Sequence, residues 1–265
     1  MAQAQMALTR VISDTSSAWN DSVLTGLSRE GALQIENAAL KKALAHAEAK
    51  IARLEAGIPS RTLHILHFND VYEVEALGES SGEYFPGVAR FATVLQEQRV
   101  ACANAGSPPI VIFSGDAVGP SLLGSLTKGQ HMMKILDKLG VNYACFGNHE
   151  FDYGVARLTE LVKESTLSWL CTNIDNASGE PIAGAERDAL VDWNGIKVGL
   201  FAVVQDWLAS TEIKAGEASY RDMVAVAHST AQSLRSRGAE YVIALTHNRV
   251  PFDEALMDGV AHLGG

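Results

Sequence analysis

The sequence VNYACFGNHEFD, residues 141–152, joins a strand-like run to a polar segment that carries an amide, an imidazole and two carboxylates. In an open α/β sheet, side chains at the carboxyl ends of the strands leave the packed core but stay on a rigid base, so ligands bind there. We therefore interpret Asn148 and His149 as candidate site residues. Asp152 has two readings, because it can orient the imidazole of His149 or cap the helix predicted after it.

Three other predicted strands end in the same way, at Asp70, at Asp116 and at His247. Each of these residues alone could be an ordinary turn or strand-end residue. Four strand ends that carry Asp, Asp, Asn-His and His are hard to explain by turn propensity. We expect Asp70, Asp116, Asn148 and His247 to converge on two divalent metal ions that accept oxygen and imidazole ligands, such as Mn²⁺, Fe, Zn²⁺ or Co²⁺. Two ions about 3.5–4 Å apart can clamp a phosphoryl group and lower the pKa of bound water.

The sequence after Pro59 alternates strands with helices, which is typical of an α/β fold. Strands are predicted at 62–69, 108–114, 141–146, 168–173, 189–194, 197–204 and 240–246. Helices are predicted near 87–103, 129–139, 154–165, 221–237 and 251–260. Asn194-Gly195 is a two-residue turn signal between two predicted strands, and it predicts a hairpin.

The sequence before Pro59 has a different pattern. Residues 1–28 are small and polar, and we expect them to be poorly ordered. Residues 29–58 predict a coiled-coil helix, because two rows recur every seven residues like an a/d seam. The rows are Leu33, Leu40, Ala47 and Leu54, and Asn37, Leu44, Ile51 and Ile58. This seam favours a homodimer through residues 33–58, and the alternative is a single amphipathic helix packed on its own domain.

Composition excludes several classes of partner. The 265 residues carry a formal net charge of −10 without a block of Lys or Arg, which argues against a nucleic-acid polymer or an anionic membrane. The three cysteines have no C-x-x-C spacing, and we interpret them as reduced core residues. We find no signal peptide and no apolar stretch of the ~18 residues that a membrane span needs. The expected location is cytoplasmic, and a cationic cofactor suits the charge.

With these residues the chain resembles the calcineurin-like metallophosphoesterase family, and within it the 5′-nucleotidases, over residues 61–265. The run from Gly147 to Asp152 carries the most specific similarity, and Gly87-Val-Ala-Arg90 matches a segment of structural importance. The resemblance implies a four-layer sandwich in which two mixed sheets stack face to face and helices flank both. It also implies a domain that is incomplete at its C-terminus, since the family's closing Gly-His-x-His would begin at Gly264-Gly265.

The resemblance implies a role for each candidate residue. Asp70 would bind the first metal, Asp116 would bridge both, and Asn148 and His247 would bind the second. His149 would stabilise the phosphoryl oxygens or protonate the leaving group. Asp152 would orient that imidazole. Water activated by the two ions would then attack the phosphorus of a phosphate ester, with nucleotides as the implied substrates.

One position departs from the family pattern. The family's first motif is Asp-x-His, and here it reads Asp70-Val71-Tyr72. A phenol with a pKa of about 10 ligates poorly near neutral pH, so the first metal should lack an imidazole. Together with the missing closing motif, this leaves an alternative function open. The chain could be a catalytically weak or inactive relative that acts as a coiled-coil dimeric binding or scaffold protein.

Overall fold

The computed structural model describes residues 61–76 and 87–260, together with Lys41, Leu44 and Glu48. The chain divides into two units, Met1–Arg61 and Thr62–Gly265. In the first unit, Lys41, Leu44 and Glu48 lie in helical backbone with exposed side chains, and the fourth described residue, Arg61, is exposed and not helical. The predicted disorder of residues 1–28 and the coiled-coil dimer otherwise lie outside the described residues, as do the last five residues of the chain.

The first sheet is parallel throughout its described strands, in the order β1, β2, β3, β4. The strands are β1 (Ile65–Phe68), β2 (Ile110–Phe113), β3 (Tyr143–Cys145) and β4 (Ser168–Leu170). All four residues of β2 are buried, as expected for a parallel strand that is covered on both faces. Phe68 lies opposite Phe113, so the segments that follow β1 and β2 leave the sheet at the same edge.

The second sheet is mixed and has the order β6, β7, β9. Its strands are β6 (Asp188–Trp193), β7 (Ile196–Val204) and β9 (Tyr241–His247), and a separate antiparallel pair is formed by β5 (Ile174–Asn176) and β8 (Ala218–Tyr220). Asn194 and Gly195 join β6 to β7 with φ values of 52° and 77°. Two consecutive positive φ angles are typical of the tight hairpin turn, so the predicted hairpin is confirmed.

Helices cover the outer faces of both sheets. They are α1 (Gly87–Asn104), α2 (Leu122–Thr127), α3 (Gln130–Leu139), α4 (Gly154–Glu164), α5 (Met223–Ser236) and α6 (Val250–Val260), with 3₁₀ turns at His149–Phe151, Ile182–Gly184 and Leu208–Ser210. All five predicted helices are present, whereas α2 was not predicted. Asp222 begins α5 by accepting a hydrogen bond from the backbone N–H of Ala225 at 2.8 Å.

The two sheets stack face to face, and the alternation of side chains along the strands shows how. Ile110 and Ile112 of β2 pack in one core cluster with Val198 and Leu200 of β7. The alternate residues of β2, Val111 and Phe113, belong to a second cluster with the buried residues of α1, α3 and α4. Successive side chains of a strand point to opposite faces, so each sheet contacts the other sheet on one face and helices on the other. The described residues therefore form the expected four-layer sandwich.

Two of the three cysteines are core residues, as the sequence predicts, whereas Cys102 is half-buried. All three are free thiols, and Cys145 and Cys171 are buried. Burial raises the pKa of both thiols, Cys171 to about 12, so they are unreactive core residues. Among the described helices, none has the length and apolar character that crossing a bilayer would require.

Candidate metal centre

The segments that follow β1 and β2 run side by side beyond the end of the sheet. The backbone N–H of Ser114 donates to Phe68, that of Asp70 to Gly115 and that of Val71 to Asp116, at 3.0 to 3.1 Å. These hydrogen bonds continue the ladder between the two strands and hold the two aspartates at the same level. Asp70 and Asp116 both adopt positive φ, 54° and 65°, which is uncommon for residues other than glycine and is frequent at functional sites.

Two glycines let the segments after β2 and β3 approach each other. A Cβ at Gly115 would collide with the backbone of Gly147, and a Cβ at Gly147 would collide with the carboxylate of Asp116. Gly115 also has a φ of 86°, which side chains disfavour. The close contact of the two loops therefore depends on glycine at both positions.

Glu150 links the same two loops through hydrogen bonds. Its buried carboxylate accepts the backbone N–H groups of Asp116, Ala117 and Gly147 at 2.7, 2.6 and 2.6 Å. Burial and the nearby charge of Asp116 raise the pKa of Glu150, although the three N–H groups favour its ionised form. Sequence reasoning missed this residue. Its position between His149 and Asp152 was the available signal, but two of its three partners lie more than thirty residues away along the chain.

Three of the four predicted metal ligands meet in space. Asp70, Asp116 and His247 each offer a ligand atom, and these atoms all lie within 4.8 Å of one another. The imidazole of His247 donates from Nδ1 to the carbonyl of Ser114 at 2.7 Å and places Nε2 3.3 Å from Oδ2 of Asp116. Because the ring is held at Nδ1, Nε2 faces the carboxylates and is the nitrogen that can bind a metal.

His247 and Asp116 shift each other's pKa values. Burial alone would lower the pKa of His247, but the hydrogen bond and charge of Asp116 raise it to about 9. Burial would likewise raise the pKa of Asp116, but the hydrogen bonds from His247 and from the backbone N–H of His149 hold it below its ordinary value. The metal-free protein therefore contains a protonated imidazole beside a carboxylate at neutral pH. A divalent cation could replace that proton.

Tyr72 lies inside this cluster. Its hydroxyl is 2.6 Å from Oδ1 of Asp70 and 2.9 Å from Oδ2 of Asp116, so its single proton can be donated to either carboxylate. Burial and these two hydrogen bonds raise the pKa of Tyr72 well above its ordinary range, which keeps the phenol neutral. Asn69 donates a further hydrogen bond to Asp70. The departure from the family's Asp-x-His motif thus falls at the metal cluster itself.

Asn148, the fourth predicted ligand, lies on the loop that surrounds Asp116. It is half-buried and directly precedes the turn His149–Phe151. The next residue, His149, donates its backbone N–H to Oδ1 of Asp116 at 3.0 Å. A ligand role for the Asn148 side chain stays a prediction.

His149 and Asp152 form a hydrogen-bonded pair beside the cluster. Nδ1 of His149 lies 2.9 Å and 3.1 Å from the two carboxylate oxygens of Asp152. The N-cap position of α4 is Tyr153, which has no side-chain capping bond, and the Asp152 carboxylate faces His149. This geometry matches the orienting reading of Asp152. The ring of Tyr72 contacts the His149 ring edge to face, with centroids 5.9 Å apart.

An apolar space adjoins the candidate metal centre. A cavity of 380 Å³ lies between α1 and α3, and Asp70 and Tyr72 form part of its wall. Phe91, Met132 and Ile135 contribute much of its apolar lining. Asp70 and Tyr72 therefore border a volume of the size that small-molecule sites occupy.

The chain is similar in sequence to known phosphoesterases. A family model described as calcineurin-like phosphoesterase matches residues 63–263. The chain is 31% identical over 209 residues to a snake venom 5′-nucleotidase of Gloydius brevicauda, covering 74% of this chain and 34% of the relative. It is 27% identical over 186 residues to the trifunctional nucleotide phosphoesterase YfkN of Bacillus subtilis, covering 62% of this chain and 12% of the relative.

A solved structure agrees on the fold. NAD nucleotidase of Haemophilus influenzae superposes with a TM-score of 0.64 at 21% identity, covering 73% of this chain and 35% of that chain. Similarity at this identity shows the fold alone. The chain spans about a third or less of the length of each of these relatives.

Proposed function

Because the chain belongs to the calcineurin-like phosphoesterase family, whose model covers residues 63–263, we propose that it uses divalent metal ions to hydrolyse phosphate esters of nucleotides. The observation that carries this proposal is the convergence of Asp70, Asp116 and His247 within 4.8 Å. These residues come from three different strand ends. The nucleotide part of the proposal rests on the printed functions of the relatives, which are nucleotidases and a nucleotide phosphoesterase.

The donor set suits divalent transition metals, because it combines carboxylates with an imidazole whose free nitrogen faces them. We assign two positions, as the family resemblance implies. Asp70 and Asp116 would hold the first ion, and Asp116, Asn148 and His247 would hold the second. Divalent ions at these positions would neutralise charge on a phosphoryl group and make water acidic enough to attack phosphorus.

His149 is the proposed catalytic imidazole. The Asp152 carboxylate holds its Nδ1, which leaves Nε2 available for a phosphoryl oxygen or for protonation of the departing alcohol. Gly119 lies directly against Asp152, and a Cβ at this glycine would collide with a carboxylate oxygen. The orienting carboxylate is thus confined by backbone on one side. We expect His149→Ala to lower kcat by roughly 100-fold without changing metal affinity, and steady-state kinetics with metal titration would check it.

A second candidate function comes from a single observation, the phenol of Tyr72 within the ligand cluster. A chain that cannot hold its metals would be catalytically weak, and it could serve as a dimeric binding or scaffold protein through residues 33–58. Sedimentation equilibrium of the full chain tests the dimer. The homodimer and the cytoplasmic location remain predictions.

The experiment for the enzyme function is phosphate release from adenosine 5′-monophosphate and from an aryl phosphate, with Mn²⁺, Zn²⁺ or Co²⁺ added. We expect turnover that a chelator abolishes, with the nucleotide preferred over the aryl ester. Asp188→Asn is a matched control, because Asp188 forms an ion pair with Arg237 outside the metal cluster. Absence of metal-dependent hydrolysis with all three ions would contradict the enzyme function and favour the scaffold.

A further inference from the structure

The carboxylate cluster has two unlike sides, and Tyr72 creates the difference. On one side, Asp116 faces Nε2 of His247 at 3.3 Å. On the other side, Asp116 and Asp70 face a phenol hydroxyl at 2.9 and 2.6 Å. An ion that bound both Asp70 and Asp116 would need the space that this hydroxyl occupies.

The imidazole side is already built for a cation. His247 is fixed through Nδ1 by the carbonyl of Ser114, so Nε2 can bind a metal without any movement of the ring. Asp116 is equally fixed, since its Oδ1 accepts the backbone N–H of His149. Both ligands therefore keep their positions when a cation enters, which limits the cost of binding.

The phenol side is not built in the same way. A cation shared by Asp70 and Asp116 would break both hydrogen bonds of the Tyr72 hydroxyl, and the phenol oxygen is a poor replacement ligand. Withdrawal of the tyrosine would also break the contact of its ring with the His149 ring. Asp70 is also exposed and held by side chains rather than by buried backbone groups.

We propose that Tyr72 makes the two metal positions unequal, so that one divalent ion binds firmly at Asp116 and His247 and a second binds only weakly at Asp70. This inference rests on the proposed metal-dependent function. It adds an order of binding to that function: the firm position fills first, and the weak position fills at higher metal concentration. Tyr72 acts as the residue that sets the difference.

The test is a titration of the metal-free full chain with Mn²⁺. Calorimetry measures the affinities, and electron paramagnetic resonance monitors the bound ions. We expect two phases, the first roughly 10- to 100-fold tighter than the second. The first equivalent should give the spectrum of an isolated Mn²⁺ ion, and spin coupling between two ions should appear only with the second. Two ions that bind with equal affinity, or no binding of a first ion, would overturn the proposal.

Two substitutions separate the effect of the hydroxyl from the effect of a missing ligand. Tyr72→His supplies an imidazole, and it should tighten the second phase by about 10-fold or more while leaving the first phase unchanged. Tyr72→Phe keeps the ring against His149, removes the hydroxyl and adds no ligand, so its second phase should tighten less than that of Tyr72→His. If neither substitution tightened the second phase, Tyr72 would not set the difference between the two positions and the proposal would fail.

Asp70→Asn assigns the phases to the two positions, since it should weaken the second phase alone. Loss of the first phase in this variant would reverse the assignment and contradict the proposal. Hydrolysis is measured separately at saturating Mn²⁺. Two binding phases without hydrolysis would contradict the proposed function and support the unequal positions. Hydrolysis with two ions bound at equal affinity would support the proposed function and contradict the unequal positions.

Discussion

Asp70 and Asp116 are the same residue type in the same left-handed backbone conformation, yet the protein holds them differently. Asp116 is 3% exposed, and its carboxylate contacts the backbone N–H of His149 and the imidazole of His247. Asp70 is exposed, and side chains such as that of Tyr72 hold its carboxylate. Buried backbone groups fix a carboxylate more firmly than exposed side chains do. The preorganised half of the candidate site is therefore the half around Asp116.

The largest loss of stability should follow the removal of Glu150, whose carboxylate binds the backbone of Asp116. Glu150→Ala leaves three buried N–H groups without an acceptor. Because each such group costs about 1–3 kcal/mol, we expect the free energy of unfolding to fall by about 3 kcal/mol or more. Urea denaturation would measure this loss. Glu160→Ala is the control, since Glu160 pairs with Arg157 at the surface and its loss should change stability by less than about 0.5 kcal/mol.

The second prediction compares the two carboxylates directly. Asp116→Asn should lower metal-dependent hydrolysis by roughly 100-fold, because Asp116 contributes to both proposed metal positions. Asp70→Asn should have a smaller effect, since it removes a ligand only from the weaker position. Phosphate release at a series of Mn²⁺ concentrations would rank the variants. A larger loss in Asp70→Asn than in Asp116→Asn would reverse the comparison.

The third prediction concerns protons. In the metal-free protein the pKa of His247 is raised to about 9, so its imidazole carries a proton at pH 7. A metal that takes Nε2 must release it, and Mn²⁺ binding at pH 7 should therefore release about one proton. Affinity should rise as the pH approaches 9 and then level off. Calorimetry in buffers with different ionisation enthalpies counts the protons, and release of none would exclude His247 as a ligand.

The smallest change in stability should follow the removal of a side chain that contacts Asp70. Asn69→Ala removes an exposed hydrogen bond to the Asp70 carboxylate. We expect a change in stability within about 0.5 kcal/mol, in contrast to Glu150→Ala. Thermal unfolding of Asn69→Ala and Glu150→Ala would measure the stability that each variant loses. Similar losses would show that the carboxylates of Asp70 and Asp116 are held equally firmly.

Much of the candidate site could be predicted, because strand ends are local features of the sequence. The apolar runs before Asp70, Asp116 and His247 mark three strand ends, and parallel strands in one layered fold bring such ends together. The structure places ligand atoms of these three residues within 4.8 Å of one another. The hairpin at Asn194-Gly195 was predictable for a similar reason, since the required backbone angles belong to those two residues.

The features that were missed depend on distant partners. Glu150 accepts N–H groups of another loop, and no local sequence pattern indicates these hydrogen bonds. β5 and β8 have three residues each and pair across more than forty residues, so neither is long enough to show a period. The six residues of α2 are likewise too few. The sequence marked Tyr72 as a departure, but its contact with both carboxylates required coordinates.

The proposed function requires divalent cations bound among Asp70, Asp116 and His247. Anomalous X-ray scattering from crystals of the full chain loaded with Mn²⁺ would locate these cations. We expect a strong manganese peak in contact with Asp116 and Nε2 of His247, and a weaker one beside Asp70. If the loaded protein had no peak between Asp116 and His247, the proposed metal site would be wrong.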